Sequence, residues 1–232
     1  MDIKYSNNKY WPIGNEKLRH IPQGEPFICM FSGGKDSSLA LSMACQFGKA
    51  VALIHCMNNE IHKSIFHMQS EALVEAQALT MNIPIFYYYK HWTSWVNLVR
   101  IYRAYKNQGV KFVVFGDLFR EDNAKLQATL CQSAGLIPCM PLWLLPHEKI
   151  LQEIENRKII SIITVIESSH ISNYWLGKVF DRTVYENFTK LDVDPFGEYG
   201  EYHTTTVDAD IFKTPIKYKL NKINEKQIYL QL

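Results

Sequence analysis

Between residues 27 and 133, short apolar runs alternate with longer segments of helical composition or spacing. The apolar runs, which are typical of buried strands, are Phe27–Phe31, Ala50–Cys56, Pro84–Tyr89 and Lys111–Phe115. The helical segments that follow them span residues 37–47, 65–79, 95–105 and 121–133. Strands that alternate with helices form a parallel sheet with helices on both faces, joined by right-handed crossovers. The sequence therefore predicts an α/β fold with a doubly wound parallel sheet.

The pattern changes where Pro138, Pro141 and Pro146 cluster. Beyond them we expect a helix over residues 148–157, a buried strand over 159–167 and a hairpin within 215–232. Residues 191–212 carry six acidic side chains and no Lys or Arg, as a solvated loop or a ligand-binding turn would. We predict an N-terminal extension over 1–26, a first domain over 27–140 and a second, smaller α+β domain over 141–232.

The segment Ser32–Ser37, SGGKDS, lies between the first predicted strand and the first predicted helix. Gly33 and Gly34 can adopt positive φ and let a ligand approach the backbone. The amides of such a turn form a concave anion site, to which the following helix N-terminus adds unsatisfied N–H groups. With a charge on Lys35 and several hydroxyls, the segment predicts a phosphate-binding loop.

Two common phosphate-binding patterns do not fit this loop. The Walker pattern requires Gly and Ser or Thr where this chain has Cys29 and Asp36, and G-x-G-x-x-G lacks its last glycine at Ser37 and Ser38. The loop instead resembles the signature of the PP-loop ATP pyrophosphatases. The resemblance implies that the loop holds the β,γ-pyrophosphate of ATP, with Mg²⁺. ATP is then cleaved between the α and β phosphates, and AMP is transferred to a substrate oxygen.

Five later segments resemble, in order, motifs of one PP-loop branch, the diphthine–ammonia ligases. They are KSIFHMQS (Lys63–Ser70), VVFGD (Val113–Asp117), MPLW (Met140–Trp143), NYWLGKVFD (Asn173–Asp181) and DPFGEYGEYHTTTVDADIF (Asp194–Phe212). The resemblance implies a HUP-like nucleotide-binding domain followed by a C-terminal substrate domain. It also implies a reaction in which a carboxylate becomes an acyl-adenylate, pyrophosphate leaves, and ammonia attacks to give an amide.

The same resemblance implies site residues in both domains. The expected nucleotide-binding residues are Ser32, Gly33, Gly34, Lys35, Asp36, Ser37, Gly116 and Asp117. The expected catalytic residues are Lys35, Asp36, Glu198, Glu201 and His203. The expected substrate pocket contains Ser64, His67, Arg120, Gly197 and Gly200. Ligands of doubly wound sheets bind beyond the carboxyl ends of the strands, so the loop and Gly116–Asp117 can face one ligand.

The chemistry of these side chains suggests a division of work. Asp36 is expected to bind Mg²⁺, to cap the helix, or both, and Lys35 to neutralise charge on the leaving pyrophosphate. One of Glu198 and Glu201 could hold a metal or ammonium while the other accepts a proton. His203 could accept that proton near neutral pH.

The sequence departs from the family pattern in three places, the first two of them in the expected acceptor pocket. The family's S-x-Y-Q is missing after Gly116, and Gln127 lies too far along the chain to replace its Gln. His203 stands where many members have Glu, and residues 1–26 precede what is usually the first strand. The segment that follows Gly116 resembles bacterial relatives with G-D-[IL]-F, so we expect ATP as a substrate ahead of diphthine. The acceptor is expected to be a small acid or a modified-histidine protein.

Composition and charge bear on the class of partner and on location. The net charge of +2 gives no support for nucleic acid as a partner, although a PP-loop RNA-modifying enzyme and a non-catalytic nucleotide-binding protein stay open. Five cysteines without a CxxC pair indicate reduced thiols and a cytoplasmic location. No apolar run of about 18 residues and no signal sequence occurs, so no membrane partner is expected. A homodimer is also left open.

Overall fold

The computed structural model describes residues 19–58, 63–64, 69–89 and 94–232, with the backbone alone at 63–64 and 94. Its first sheet is built from strands that alternate with helices along the chain. These elements are β1 Pro26–Met30, α1 Lys35–Cys45, β2 Lys49–Asn58, β3 Lys63–Ser64, α2 Glu71–Met81, β4 Ile85–Tyr89, α3 Ser94–Asn107, β5 Phe112–Val114, α4 Glu121–Ala134 and β6 Ile137–Cys139.

Five strands of this sheet are parallel and lie in the order β4, β2, β1, β5, β6. The short β3 pairs antiparallel with the end of β2. The strand order reverses between β1 and β5, which is where ligands of doubly wound sheets bind. The prediction of a doubly wound α/β fold is therefore confirmed.

Strand β6 did not follow from the sequence, because Pro138 was interpreted as part of a domain boundary. It lies at the edge of the sheet and pairs with β5. A proline is tolerated at an edge because a missing N–H there need not break a ladder. The predicted second helix spans 65–79; the described helix α2 begins at Glu71, and residues 65–68 lie outside the described part.

The second half of the chain forms a smaller, antiparallel sheet with two helices. Its elements are α5 His147–Asn156, β7 Ile160–Ile166, α6 Arg182–Phe188, β8 Tyr202–Asp208, β9 Lys219–Asn224 and β10 Gln227–Gln231. The strands lie in the order β8, β7, β10, β9, and the predicted hairpin is confirmed as β9–β10. Strand β8 was not predicted: the acidic stretch is a loop only as far as Glu201, and the threonine-rich end continues as a strand.

One apolar core runs through both halves of the molecule. Leu39 and Leu41 of α1 belong to the same buried cluster as Ile163 of β7, Phe180 and Phe196. A separate cluster fills the other face of the first sheet, under α3 and α4. Helix α1 therefore lies between the two sheets and packs on both.

Polar contacts join α1 to the second sheet at the level of this core. The Ser38 hydroxyl donates to Thr206 Oγ1 at 3.0 Å, and Thr206 Oγ1 lies 2.8 Å from Ser161 Oγ. One turn further along α1, Ser42 donates to Asp210 Oδ1 at 2.6 Å and accepts from Arg157 at 3.0 Å. These hydroxyls are buried, so each depends on its partner across the junction.

We expect Thr206→Val to destabilise the protein by about 1–3 kcal/mol, because the buried hydroxyls of Ser38 and Ser161 each lose a partner. The matched control is Thr205→Val, on the opposite face of β8, where the lost contact is a 3.3 Å approach to Thr164. Urea unfolding of both variants measures the difference. Equal stability of the two variants would contradict a structural role for the Thr206 hydroxyl.

Candidate functional site

The glycine loop connects β1 to α1 and needs glycine at one position in particular. Gly33 has φ +82°, and a Cβ there would collide with the amide oxygens of Gln69 and Gln77. Gly34 is extended and forms the N-cap of α1. Ser32 Oγ lies 3.0 Å from Ser37 Oγ, so the loop ends approach each other. The predicted strand–loop–helix arrangement is present.

Strand β8 packs against the glycine loop and forms hydrogen bonds with it. The amide of Thr206 donates to the Gly33 carbonyl at 2.9 Å, and the amide of Lys35 donates to Thr204 Oγ1 at 3.1 Å. The side-chain amide of Gln77 donates to the carbonyls of both Gly33 (2.9 Å) and Thr206 (2.7 Å). The shape of the loop is thus set by residues that are distant in sequence.

The loop after β5 packs directly on the start of α1. A Cβ on Gly116 would lie 2.8 Å from backbone atoms of Asp36 and Ser37, so only glycine allows this approach. Asp117 follows, is buried, and accepts a hydrogen bond from the side chain of Asn123 on α4. Burial raises the pKa of Asp117 to about 6.

A cavity of about 620 Å³ opens between the ends of β1, β2 and β5 and the loop before β8. It brings together most of the residues predicted from sequence. Those that line it are Ser32, Lys35, Asp36, Ser37, Gly116, Asp117, Arg120, Gly197, Glu198, Gly200 and His203. Residues from both halves of the chain therefore face one space.

Three carboxylates in this cavity influence one another. Burial raises the pKa of Glu198 to about 8, and the nearby charges of Asp36 and Asp117 contribute to the rise, although the Leu118 amide donates to Glu198 Oε1 at 3.0 Å. Burial also raises the pKa of Asp36, against the opposing effect of Lys35. Asp36 Oδ1 is buried with no hydrogen-bond partner among the described residues. At each of these carboxyls, burial thus outweighs the nearby positive charge of Lys35 or Arg120.

The ammonium of Lys35 turns toward the second half of the chain. It is 2.5 Å from the Phe196 carbonyl oxygen and 2.8 Å from Asp36 Oδ2. It also lies 5.2–5.8 Å from the ring centres of Phe180, Tyr202 and Phe196, within the range of cation–π attraction. Lys35 is only 4 % exposed, and its contact with pyrophosphate stays a prediction.

Glu201 and His203 occupy different environments. The Glu201 carboxylate accepts hydrogen bonds from the amides of Asp194 and Tyr199, both at 3.1 Å. It therefore closes the turn of residues 194–201, the acidic turn, and does not line the cavity. Its predicted part in the ammonia step stays a prediction. His203 does line the cavity, and burial together with the charge of Lys35 lowers its pKa to about 4. Its imidazole is therefore neutral at physiological pH.

Three of the five predicted substrate-pocket residues, Arg120, Gly197 and Gly200, are fully described by the structure. Gly197 and Gly200 have φ +71° and +88°, which gives the acidic turn its tight shape. Arg120 forms an ion pair with Asp122 at 2.6 Å and lies 5.6 Å from the centre of the Tyr199 ring. Only the backbone of Ser64 is described, in β3, and His67 lies outside the described residues.

Several polar residues that line the cavity were not predicted from the sequence, among them His55, Gln127, Glu167 and Thr204. His55 could have been found, because it lies near the end of a predicted strand on the ligand side of the sheet. Gln127, which lies too far along the chain to match the Gln of the family motif, nevertheless lines the same cavity, one helical turn after Asn123. Thr204 lies in β8, a strand that the sequence did not predict, so no pattern pointed to it.

Within the described ranges, no group of three or more His, Cys, Asp or Glu side chains is arranged to hold a metal ion by itself. No helix in that part of the chain is long and apolar enough to cross a membrane. The cavity thus combines a phosphate-type loop, several carboxylates and a neutral histidine.

The fold and the site define a PP-loop ATP-utilising enzyme. The chain belongs to the diphthamide synthase family: the family model of the N-terminal domain matches residues 26–138, and that of the C-terminal domain matches residues 146–230. No curated protein sequence matches the chain. A solved structure from Methanocaldococcus jannaschii, described as a predicted subunit of tRNA methyltransferase, is similar at 15% identity and a TM-score of 0.42, over 83% of this chain and 100% of that one.

The raised pKa of Glu198 predicts a pH effect on stability. Because its pKa in the folded protein lies near 8, above its ordinary value of 4.5, the native state holds this proton at pH values where the unfolded state has lost it. Stability should therefore fall as pH rises from about 5 to 8. Glu198→Gln should flatten this slope in urea unfolding, whereas Glu225→Gln on the exposed hairpin turn should keep it. Identical slopes for the three proteins would contradict the raised pKa.

Proposed function

We propose that the protein is an AMP-forming amide ligase, which adenylates a carboxylate with ATP and transfers the acyl group to ammonia. The observation that carries the proposal is the meeting of the SGGKDS loop with Asp117, Glu198 and His203 in one cavity. The loop is suited to the pyrophosphate part of ATP, and Glu198 and His203 come from the half of the chain that would meet the acceptor.

In the first step, an acceptor carboxylate oxygen attacks the α-phosphorus of ATP. The new O–P bond forms as the bond from the α-phosphorus to the bridging β-oxygen breaks, and pyrophosphate leaves. The loop amides and the charge of Lys35 would stabilise the negative charge that builds on the leaving group. Because the protein forms no covalent bond to the phosphate, its contribution is to position the reactants and to stabilise charge.

Mg²⁺ fits the residues present. Asp36 has a buried oxygen without a partner in the described part of the chain, and the carboxyls of Glu198 and Asp117 have pKa values raised by burial and by the charge of Asp36. Magnesium needs few protein carboxylates when phosphate oxygens and water complete its shell. Asp36 would hold the ion, with Asp117 and Glu198 nearby, and the ion would neutralise charge on the pyrophosphate.

In the second step, ammonia attacks the acyl carbon, the carbon–oxygen bond to AMP breaks, and the attacking nitrogen gives up a proton. In this step His203 accepts the proton: its imidazole is neutral in the cavity, although its lowered pKa makes it a weak base. The aromatic lining and the turn at Gly197–Gly200 would limit water, which competes with ammonia for the adenylate. The acceptor is a small acid or a protein-bound modified histidine.

Asp36→Ala is expected to lower pyrophosphate release from ATP by at least about 100-fold, because the proposed ion site loses its carboxylate. Its described side-chain partner is the adjacent Lys35, so the fold should survive, as circular dichroism can check. Release would be measured with Mg²⁺, ammonium and a panel of carboxylic acids. The control Asp192→Ala changes an exposed acid near the acidic turn and should leave release unchanged. Near-normal release by Asp36→Ala would remove Asp36 from the mechanism.

A further inference from the structure

His55 lies near the end of β2 and is almost completely buried, with 1 % of its surface exposed. Its Nδ1 lies 2.7 Å from the carbonyl oxygen of Phe31. A carbonyl can only accept a hydrogen bond, so Nδ1 carries the hydrogen and Nε2 is left with a free lone pair. Burial lowers the pKa of His55 to about 4, which keeps the ring in this neutral form at physiological pH.

The Nε2 atom of His55 has no hydrogen-bond partner in the described part of the chain. Buried polar atoms without a partner are rare in native proteins, and a bound water, ion or ligand can supply the partner. His55 lines the same cavity as the glycine loop. Its ring meets the Tyr87 ring edge-on, with 6.1 Å between centres, which together with the Phe31 contact fixes its orientation.

The lining around His55 differs from the lining near the loop. Met30, Ile54 and Phe115 contribute apolar surface from the ends of β1, β2 and β5. A second buried acceptor without a partner among the described residues, Gln127 Oε1, belongs to the same lining. Apolar walls with a few placed polar atoms are typical of sites for planar organic groups. A nucleotide combines such a group with the phosphates that suit the loop.

We propose that His55 Nε2 accepts a hydrogen bond from the nucleoside part of the bound nucleotide, and so selects nucleotides that carry this donor. The inference rests on the proposed use of ATP and adds the residue that reads the nucleoside. Two groups of ATP could be the donor: the 6-amino group of adenine and a ribose hydroxyl. An analogue that lacks the donor would leave a buried acceptor unpaired and would bind more weakly.

The experiment is calorimetric binding with Mg²⁺ and without ammonium or an acceptor. The probes are ATP, ITP, which lacks the 6-amino group, and the 2′-deoxy and 3′-deoxy forms of ATP, which each lack one hydroxyl. The wild-type protein is expected to bind ATP at least about tenfold more tightly than one of these analogues. The analogue that shows the loss identifies the donor. In His55→Leu this ratio should fall to about one.

Two further variants separate selectivity from folding. His55→Gln restores an acceptor near the position of Nε2 and should recover part of the ratio. His170→Leu removes an exposed histidine outside the cavity and should keep the wild-type ratio. The inference is overturned if His55→Leu, shown to be folded by its thermal unfolding, keeps the wild-type ratio, or if the wild type binds all four nucleotides equally. A wild type that binds no nucleotide overturns the proposed function as well.

Discussion

The hydrogen bonds between β8 and the glycine loop are the interaction on which the site depends. The amide of Thr206 donates to the Gly33 carbonyl, and Thr204 Oγ1 accepts the amide of Lys35. Loops of this kind need a fixed shape before their amides can hold an anion. Here the second sheet supplies that shape, so the two halves of the chain form one functional unit.

The contact between β8 and the glycine loop also explains why the carboxyls in the cavity have raised pKa values. Because β8 lies against the loop, the acidic turn before it is carried to the ends of β1 and β5, where Glu198 meets Asp36 and Asp117. Burial raises the pKa of each carboxyl, and the charge of Asp36 adds to the rise at Asp117 and Glu198. A bound cation would reverse this effect. The charge pattern therefore suits a ligand that arrives with a metal ion.

The sequence was sufficient for the parts of the fold that depend on local pattern. The alternation of apolar runs and helices predicted the parallel sheet, and the order of strand, glycines and helix predicted the loop. Besides the two-residue β3, two strands were not predicted: β6, because Pro138 is acceptable only at an edge, and β8, because its acidic neighbours concealed the Tyr202–Asp208 pattern. Both depend on which strands become neighbours, which local propensity does not encode.

The site was predictable residue by residue only where a motif named the residue. Asp36, Asp117 and Glu198 follow from motif positions, and the structure brings them to one cavity. The distinction between Glu198, which faces the cavity, and Glu201, which closes the turn, depends on the backbone amides that the Glu201 carboxylate accepts. No motif includes His55, and its Nε2, which has no partner among the described residues, is noticed only once Phe31 is seen to accept the Nδ1 hydrogen.

The proposed reaction requires that ATP is cleaved between its α and β phosphates. Phosphorus NMR of the products formed from ATP, with Mg²⁺, ammonium and a carboxylic acid that supports turnover, tests it most directly. The proposed reaction should give AMP and pyrophosphate in equal amounts, with one amide formed per AMP. ADP and inorganic phosphate as the products would contradict it.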